Sequence, residues 1–204
     1  MIIRVSGHPG AGKTTFCKQL ASMLGYEYSY AGGMFRELAK EKGMTIEEFY
    51  ISLGSKPEAE LEIDNRQEQL MLSKNNLVVE GRMAPFLKAG FPTCNILITV
   101  DSHEGAKRSL SRGENIGGSI EEMMAQTKER LEAEKTSYFK LHGVEDYFGP
   151  KHYDIVIDTT KLTPNEVYNR IVEQLVPRLN AEDTAQQAAA SKGSSAGVCG
   201  DVCV

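Results

Sequence analysis

Close to the N-terminus the chain reads Gly7-His8-Pro9-Gly10-Ala11-Gly12-Lys13-Thr14, followed by Thr15. This is the pattern G-x-x-x-x-G-K-[ST], which is specific when it follows a strand and opens a helix. The apolar stretch 2–6 before it and the helical spacing of 13–24 after it supply that context. Gly7, Gly10 and Gly12 let the backbone turn its N–H groups inward around an anion, and a helix starting near Lys13 adds the positive end of its dipole. His8, Pro9 and Ala11 complete the wall of this cradle, His8 tolerating its position rather than acting as a base. Lys13 then brings a point charge to the β- and γ-phosphates, the Thr14 hydroxyl is placed to coordinate Mg²⁺, and Thr15 reaches a further phosphate oxygen. The expected ligand is a nucleoside triphosphate. The competing reading is a glycine-rich turn ahead of an ordinary surface helix.

A second group of residues could bind another phosphate. The apolar run 77–79 ends in Glu80-Gly81-Arg82, which puts a guanidinium at the end of a strand. Its planar fork matches phosphate bidentately, as a lysine cannot. Glu80 has three readings at this point: it orients Arg82, it orients Lys13, or it caps the strand. No NKxD-like guanine signature occurs, which counts against a GTPase, and no strand ends in the acidic run of a Walker B motif.

These residues need a scaffold. Short apolar runs at 2–6, 26–30, 77–79, 96–101 and 153–158 read as strands, and the segments 13–24, 33–42, 58–73, 120–141 and 164–179 have helical spacing. Such alternation calls for a parallel sheet wrapped by helices, with the ligand site at the C-terminal ends of the strands. The expected fold is α/β, a P-loop NTPase of three layers, α/β/α, around a five-stranded parallel sheet. With 204 residues and 41% apolar content, one domain over 1–180 is expected. From Ala181 the composition turns to Ala, Gln, Ser and Gly, so 181–204 is expected to be a disordered tail.

Bulk properties narrow the classes. A net charge of -5 without a basic stripe argues against nucleic acid as partner. No apolar run approaches the roughly 20 residues of a membrane helix, and no signal-like segment opens the chain, so a cytoplasmic protein without membrane partners is expected. Of the four cysteines, Cys17 and Cys94 sit in core-like patterns and read as buried free thiols. Cys199 and Cys203 lie in the tail, where a metal or redox role has little support.

Beyond the loop, GHPGAGKTT, AGGMFRELAKEKGMTIEEF, EIDNRQ, VVEGRM, the R-x-x-x-R of Arg108 and Arg112, RLEAEKTSYFKLHG and YDIVIDTT together resemble the cytidylate kinases of the short archaeal type, within the nucleoside monophosphate kinases. The likeness runs from Met1 to about Leu179. It implies a helical segment that binds the monophosphate, about 32–75, and a helical lid, about 108–141. It implies that Arg36 and Arg82 grip the acceptor's phosphate, and that Asp64 and Arg66 read or shape the base pocket. Arg108 would lie against adenine, Arg112 would meet the ATP phosphates, and Arg130 would span donor and acceptor phosphates in the transition state. Lys13, Arg112 and Arg130 are thus the implied catalytic set. One departure stands out: Lys135 occupies a position where the pattern favours arginine. The implied reaction is Mg²⁺-assisted transfer of the γ-phosphoryl of ATP to CMP or dCMP by a monomer. Two alternatives remain open here: a kinase for another acceptor, such as AMP, UMP or a small metabolite, and a nucleotide-binding regulator with a kinase fold.

Overall fold

Strand β1 (Ile2–Gly7) is buried at every position, as a strand must be when helices cover both faces of its sheet. The computed structural model describes residues 1–43, 57–112 and 118–194. Within it β2 (Glu27–Tyr30), β3 (Leu77–Glu80), β4 (Thr93–Thr99) and β5 (Ile155–Asp158) join β1 in a five-stranded sheet of order β2-β3-β1-β4-β5. Every pairing is parallel. The described helices are α1 (Lys13–Leu24), α2 (Ala31–Glu41), α3 (Pro57–Ser73), α4 (Ser102–Ser111), α5 (Ile120–His142) and α6 (Pro164–Ser194).

The period-two alternation of the strands sorts side chains onto two cores. Ile3, Val5, Val78, Ile96 and Ile98 meet Phe16, Cys17 and Leu20 of α1 and Ile171 and Leu175 of α6. Ile2, Leu77 and Val79 turn the other way, onto Met71 of α3 with Ala84 and Leu87. That is the expected three-layer arrangement. Cys17 and Cys94 are buried free thiols, as their patterns suggest. Arg4 is the unusual member of β1: its guanidinium is buried and each of its nitrogens donates, to Asn95 Oδ1 (2.7 Å), the Leu87 carbonyl (2.9 Å) and Thr93 Oγ1 (3.1 Å), tying β1 to β4 and to the turn after β3.

Two expectations need correction. Helix α4 was not among the expected helices, because SHEGAKRSLS carries few apolar residues and an internal glycine. Its signal is the cap: Asp101 accepts from the backbone N–H groups of His103 (2.9 Å) and Glu104 (3.3 Å). The second correction concerns the tail. Helix α6 continues to Ser194, well past the expected onset of disorder at Ala181. Alanine and glutamine are strong helix formers, and a helix already docked through Ile171 and Leu175 extends without a new nucleation cost. Glu182 in this extension is buried and takes the Met1 ammonium at 3.2 Å. Cys199 and Cys203 lie outside the described residues.

Candidate active site

Because β1 lies between β3 and β4, whatever leaves its C-terminal end stands between the ends of its neighbours. The register pairs Val5 with Glu80 and Gly7 with Ile98, so the glycine-rich loop emerges beside Glu80-Gly81-Arg82. The loop is pressed tightly against its surroundings. A Cβ at Gly7 (φ +151°) would fall 2.0 Å from the Ile98 carbonyl oxygen, and one at Gly10 (φ +76°) 2.3 Å from that of Gly105. Glycine is required there by space as well as by backbone angle. Gly12 caps α1 in the left-handed region, which aims the start of that helix into the loop.

Inside the loop, Lys13 Nζ is buried and donates to the carbonyls of Gly7 and His8, both at 2.8 Å. Burial first, and then the nearby Arg82 guanidinium, push its pKa down to about 8. The ammonium of the free protein is therefore lost as pH rises through about 8. Since kcat/KM reports the free enzyme, kcat/KM for the triphosphate is expected to fall about tenfold per pH unit above that point. Weakening that limb by Arg82→Met, which removes one cause of the depression, should move it to higher pH. A profile flat from pH 7 to 10 would contradict the assignment.

Glu80 does something none of its three sequence readings named. Its Oε1 accepts from the Thr14 hydroxyl at 2.8 Å, and its Oε2 accepts from the Tyr28 hydroxyl. Burial and Glu80 itself hold the Tyr28 phenol far above its ordinary pKa, so it remains a donor. Tyr28 stacks on Tyr30, ring centroids 5.4 Å apart, which fixes both at the end of β2. A hydroxyl and a carboxylate oxygen side by side are the hard donors that Mg²⁺ prefers alongside substrate phosphates. The donor set therefore fits that ion.

A cavity of about 1250 Å³ opens from this point. One wall is the loop, with Pro9, Gly10, Gly12, Lys13, Thr14 and Thr15. A second is the face of α3 carrying Glu60, Ile63, Asp64 and Gln67, spaced as one helical stripe. Arg82 forms the floor between them, and Arg112 and Arg130 border the cavity with Glu134, Ser137 and Lys140 of α5. Polar contacts fasten α5 to the opposite wall: His142 Nε2 meets Asp64 Oδ2 at 2.8 Å, the Ser137 hydroxyl donates to Glu60, and Glu134 accepts from Arg82 Nη1 at 2.6 Å. Burial raises the Asp64 pKa, an effect opposed by the His142 contact.

Most of the expected residues meet here. Lys13, Thr14, Thr15, Asp64, Arg82, Arg112 and Arg130 all border the one cavity. Arg108 does not; it donates to Glu104 Oε1 (2.9 Å), Thr159 Oγ1 (3.1 Å) and the carbonyls of Thr159 (2.9 Å) and Thr160 (3.2 Å), fastening α4 to the loop after β5. Arg66 is also elsewhere. Two positions along a helix from Asp64 it faces away, and it is held by Glu41 (2.7 and 3.1 Å) and Glu62 (3.0 Å) in a shallow cleft on the far side of α3. In its place on the stripe stands Gln67, which donates to the Glu80 carbonyl at 3.2 Å. The side chain of Arg36, in α2, lies outside the described residues. His8 is an anchor: its Nδ1 lies 3.2 Å from the Val100 carbonyl oxygen, its ring packs edge-on against Phe148 at 4.6 Å, and burial lowers its pKa. Lys135 is exposed and absent from the cavity wall, so its departure from the arginine pattern falls outside the space where the phosphates would meet.

Sequence reasoning missed Glu60, Gln67, Tyr28 and Glu134. The first two were available from the i, i+3, i+4, i+7 spacing that starts at Glu60. Tyr28 carries no local signal, since it acts on a residue far away in the chain, and Glu134 carries only its i, i+4 spacing from Arg130, which says nothing of its bond to Arg82.

The chain is similar to several known proteins. The AAA domain family matches residues 3–135. The cytidylate kinase of Methanopyrus kandleri is 32% identical over 90% of this chain and 97% of its own length. That of Thermococcus kodakarensis is 35% identical over 91% and 92%. Among solved structures, an uncharacterized protein from Eubacterium ventriosum superimposes with a TM-score of 0.62 at 18% identity, over 85% of this chain and 96% of that one. Shikimate kinase from Bacteroides thetaiotaomicron does so with 0.59 at 18%, over 86% and 98%. At such identities the two structures speak for the fold alone.

Proposed function

The chain belongs to the cytidylate kinase family, and from that premise we propose that the cavity between the glycine-rich loop and α3 transfers the γ-phosphoryl group of ATP to CMP or dCMP, giving ADP and CDP or dCDP. The observation that carries this reading is the continuity of the space. One cavity is bounded by a phosphate cradle on one side and by Arg82 and the α3 stripe on the other, with Arg112 and Arg130 at its edge. A donor and an acceptor can therefore lie end to end.

In this reading the loop amides and Lys13 hold the β- and γ-phosphates, and Arg82 holds the acceptor's phosphate, with Arg36 in support. Arg112 and Arg130 neutralise the equatorial oxygens of the group in transit. Thr14 and Glu80 would hold Mg²⁺, which when bound with ATP draws charge from the β- and γ-oxygens. Phosphoryl transfer through a loose transition state needs positioning and charge more than covalent help. No general base is required, because the acceptor phosphate, with a second pKa of about 6, is already a nucleophile. The carboxylates of Glu60 and Asp64 offer acceptors for an exocyclic amine, which cytosine has and uracil lacks. Two segments, about 32–75 and 108–141, act as acceptor-binding segment and lid on one catalytic domain, 1–180. The reading takes the protein as a monomer working on small nucleotides. No described helix is long and apolar enough to cross a membrane. The reading takes the cytoplasm as the site of action.

Steady-state rates with CMP, dCMP, UMP and AMP as acceptors test the reading. CMP or dCMP is expected to exceed AMP in kcat/KM by about 10²-fold or more, since a misfit base leaves buried polar groups unpaired. Faster phosphorylation of AMP than of CMP would overturn the choice of base.

A further inference from the structure

Glu134 is the cavity group to which neither the sequence motifs nor the proposed phosphate contacts assign a task. Its Oε1 accepts from Arg82 Nη1 at 2.6 Å and from Arg130 Nε at 2.8 Å. A single oxygen thus joins the turn after β3, which is part of the sheet, to the helix α5. Glu134 is buried and Arg82 largely so, their side chains 11% and 13% exposed, while Arg130 is 60% exposed at the cavity rim.

The way this contact is left incomplete is informative. Glu134 Oε2 and Arg82 Nε are both buried, and neither has a hydrogen-bond partner among the described residues. A buried pair whose only task was cohesion would fill these positions, because idle buried donors and acceptors cost free energy. Glu134 takes the Nη1 end of the Arg82 fork and leaves its Nε unbonded. Arg82 and Arg130 also crowd Lys13, and both depress its pKa. Three cations that converge on one space need a fixed anion to hold their spacing against repulsion.

We propose that Glu134 is a positioning residue that braces Arg82 and Arg130 as a unit, fixing the distance between the arginine that receives the acceptor's phosphate and the arginine that α5 brings to the transferred group. The proposal rests on the kinase reading of this cavity. It differs from a role as a stand-in for the acceptor phosphate, which would compete with CMP, so that its removal would tighten CMP binding.

Steady-state kinetics of Glu134→Gln and Glu134→Asp test it, alone and combined with Arg130→Met. Gln removes the charge. Asp keeps the buried charge, and so safeguards folding, but is one methylene too short to reach both guanidinium groups. Each variant is expected to lower kcat about 10²-fold, the size of a small misplacement of catalytic groups, with KM for ATP within about twofold of the parent. In the Arg130→Met background Glu134→Gln should cost less than about threefold more, because the brace has already lost one of its ends. Parental kcat in Glu134→Asp, full additivity with Arg130→Met, or a lower KM for CMP at unchanged kcat would each overturn the brace. If Glu134→Gln fails to fold, Glu134→Asp, alone and in the Arg130→Met background, decides by the same criteria. A parent protein that forms no ADP in response to CMP would overturn the kinase reading and the brace with it.

Discussion

Lys13→Met is expected to lower kcat by at least about 10³-fold while leaving the melting temperature at neutral pH no lower than that of the parent. The first half follows from position. Lys13 is the cation buried within the loop, its ammonium seated on the Gly7 and His8 carbonyls, and its charge can be offered to phosphate without reorganising water. The second half follows from the sign of its pKa shift. Burial depresses the Lys13 pKa to about 8, so the folded protein holds that proton less tightly than the unfolded chain does. Stability attributable to Lys13 is then fully present above the unfolded value near 10.5 and is lost as pH falls through about 8. At pH 7 the charged lysine burdens the fold, and methionine removes that burden with a side chain of similar length, at the expense of the two carbonyl contacts. Turnover assays and thermal melts on the same sample check both halves. Near-parental turnover in a folded Lys13→Met protein would remove the loop from the chemistry.

The second large effect is expected at Arg82. Arg82→Lys keeps the charge but not the planar fork, and kcat/KM for CMP should fall about 10²- to 10³-fold with KM for ATP nearly unchanged. The side chain is largely buried and held by Glu134, so its guanidinium is already oriented before any phosphate arrives. A lysine there would satisfy Glu134 with its single ammonium and would have no second edge to offer. Initial rates with each substrate varied in turn separate the two sites. An equal rise in KM for ATP would place Arg82 on the donor side instead.

How much of this was legible beforehand depended on how local each signal was. The loop carries its own context, strand before and helix after, and its identity as a phosphate cradle needed nothing else. The sheet is legible because most of its strands are short runs rich in apolar residues that end at a turn, β2 with its Glu-Tyr-Ser-Tyr being the exception. Helix α4 was missed because a weakly apolar segment is held by its cap at Asp101 rather than by periodicity. The extension of α6 was misread because composition alone was weighed, without the docked helix that precedes it. At the site, the resemblance groups Arg66 with Asp64, although two steps along a helix turn a side chain to the opposite face. The contacts of Glu80 with Tyr28 and Thr14, and of Glu134 with Arg82, join residues 52 to 66 positions apart. Pairings of that kind belong to the topology, and no spacing rule in one sequence announces them.

The measurement that bears most directly on the central claim is a ³¹P spectrum of the purified protein incubated with ATP, Mg²⁺ and CMP. Transfer within one cavity predicts that the β-phosphorus signals of ADP and CDP grow together in equal amounts, with no inorganic phosphate and no ADP when CMP is left out. ADP accompanied by inorganic phosphate, at a rate indifferent to CMP, would contradict it.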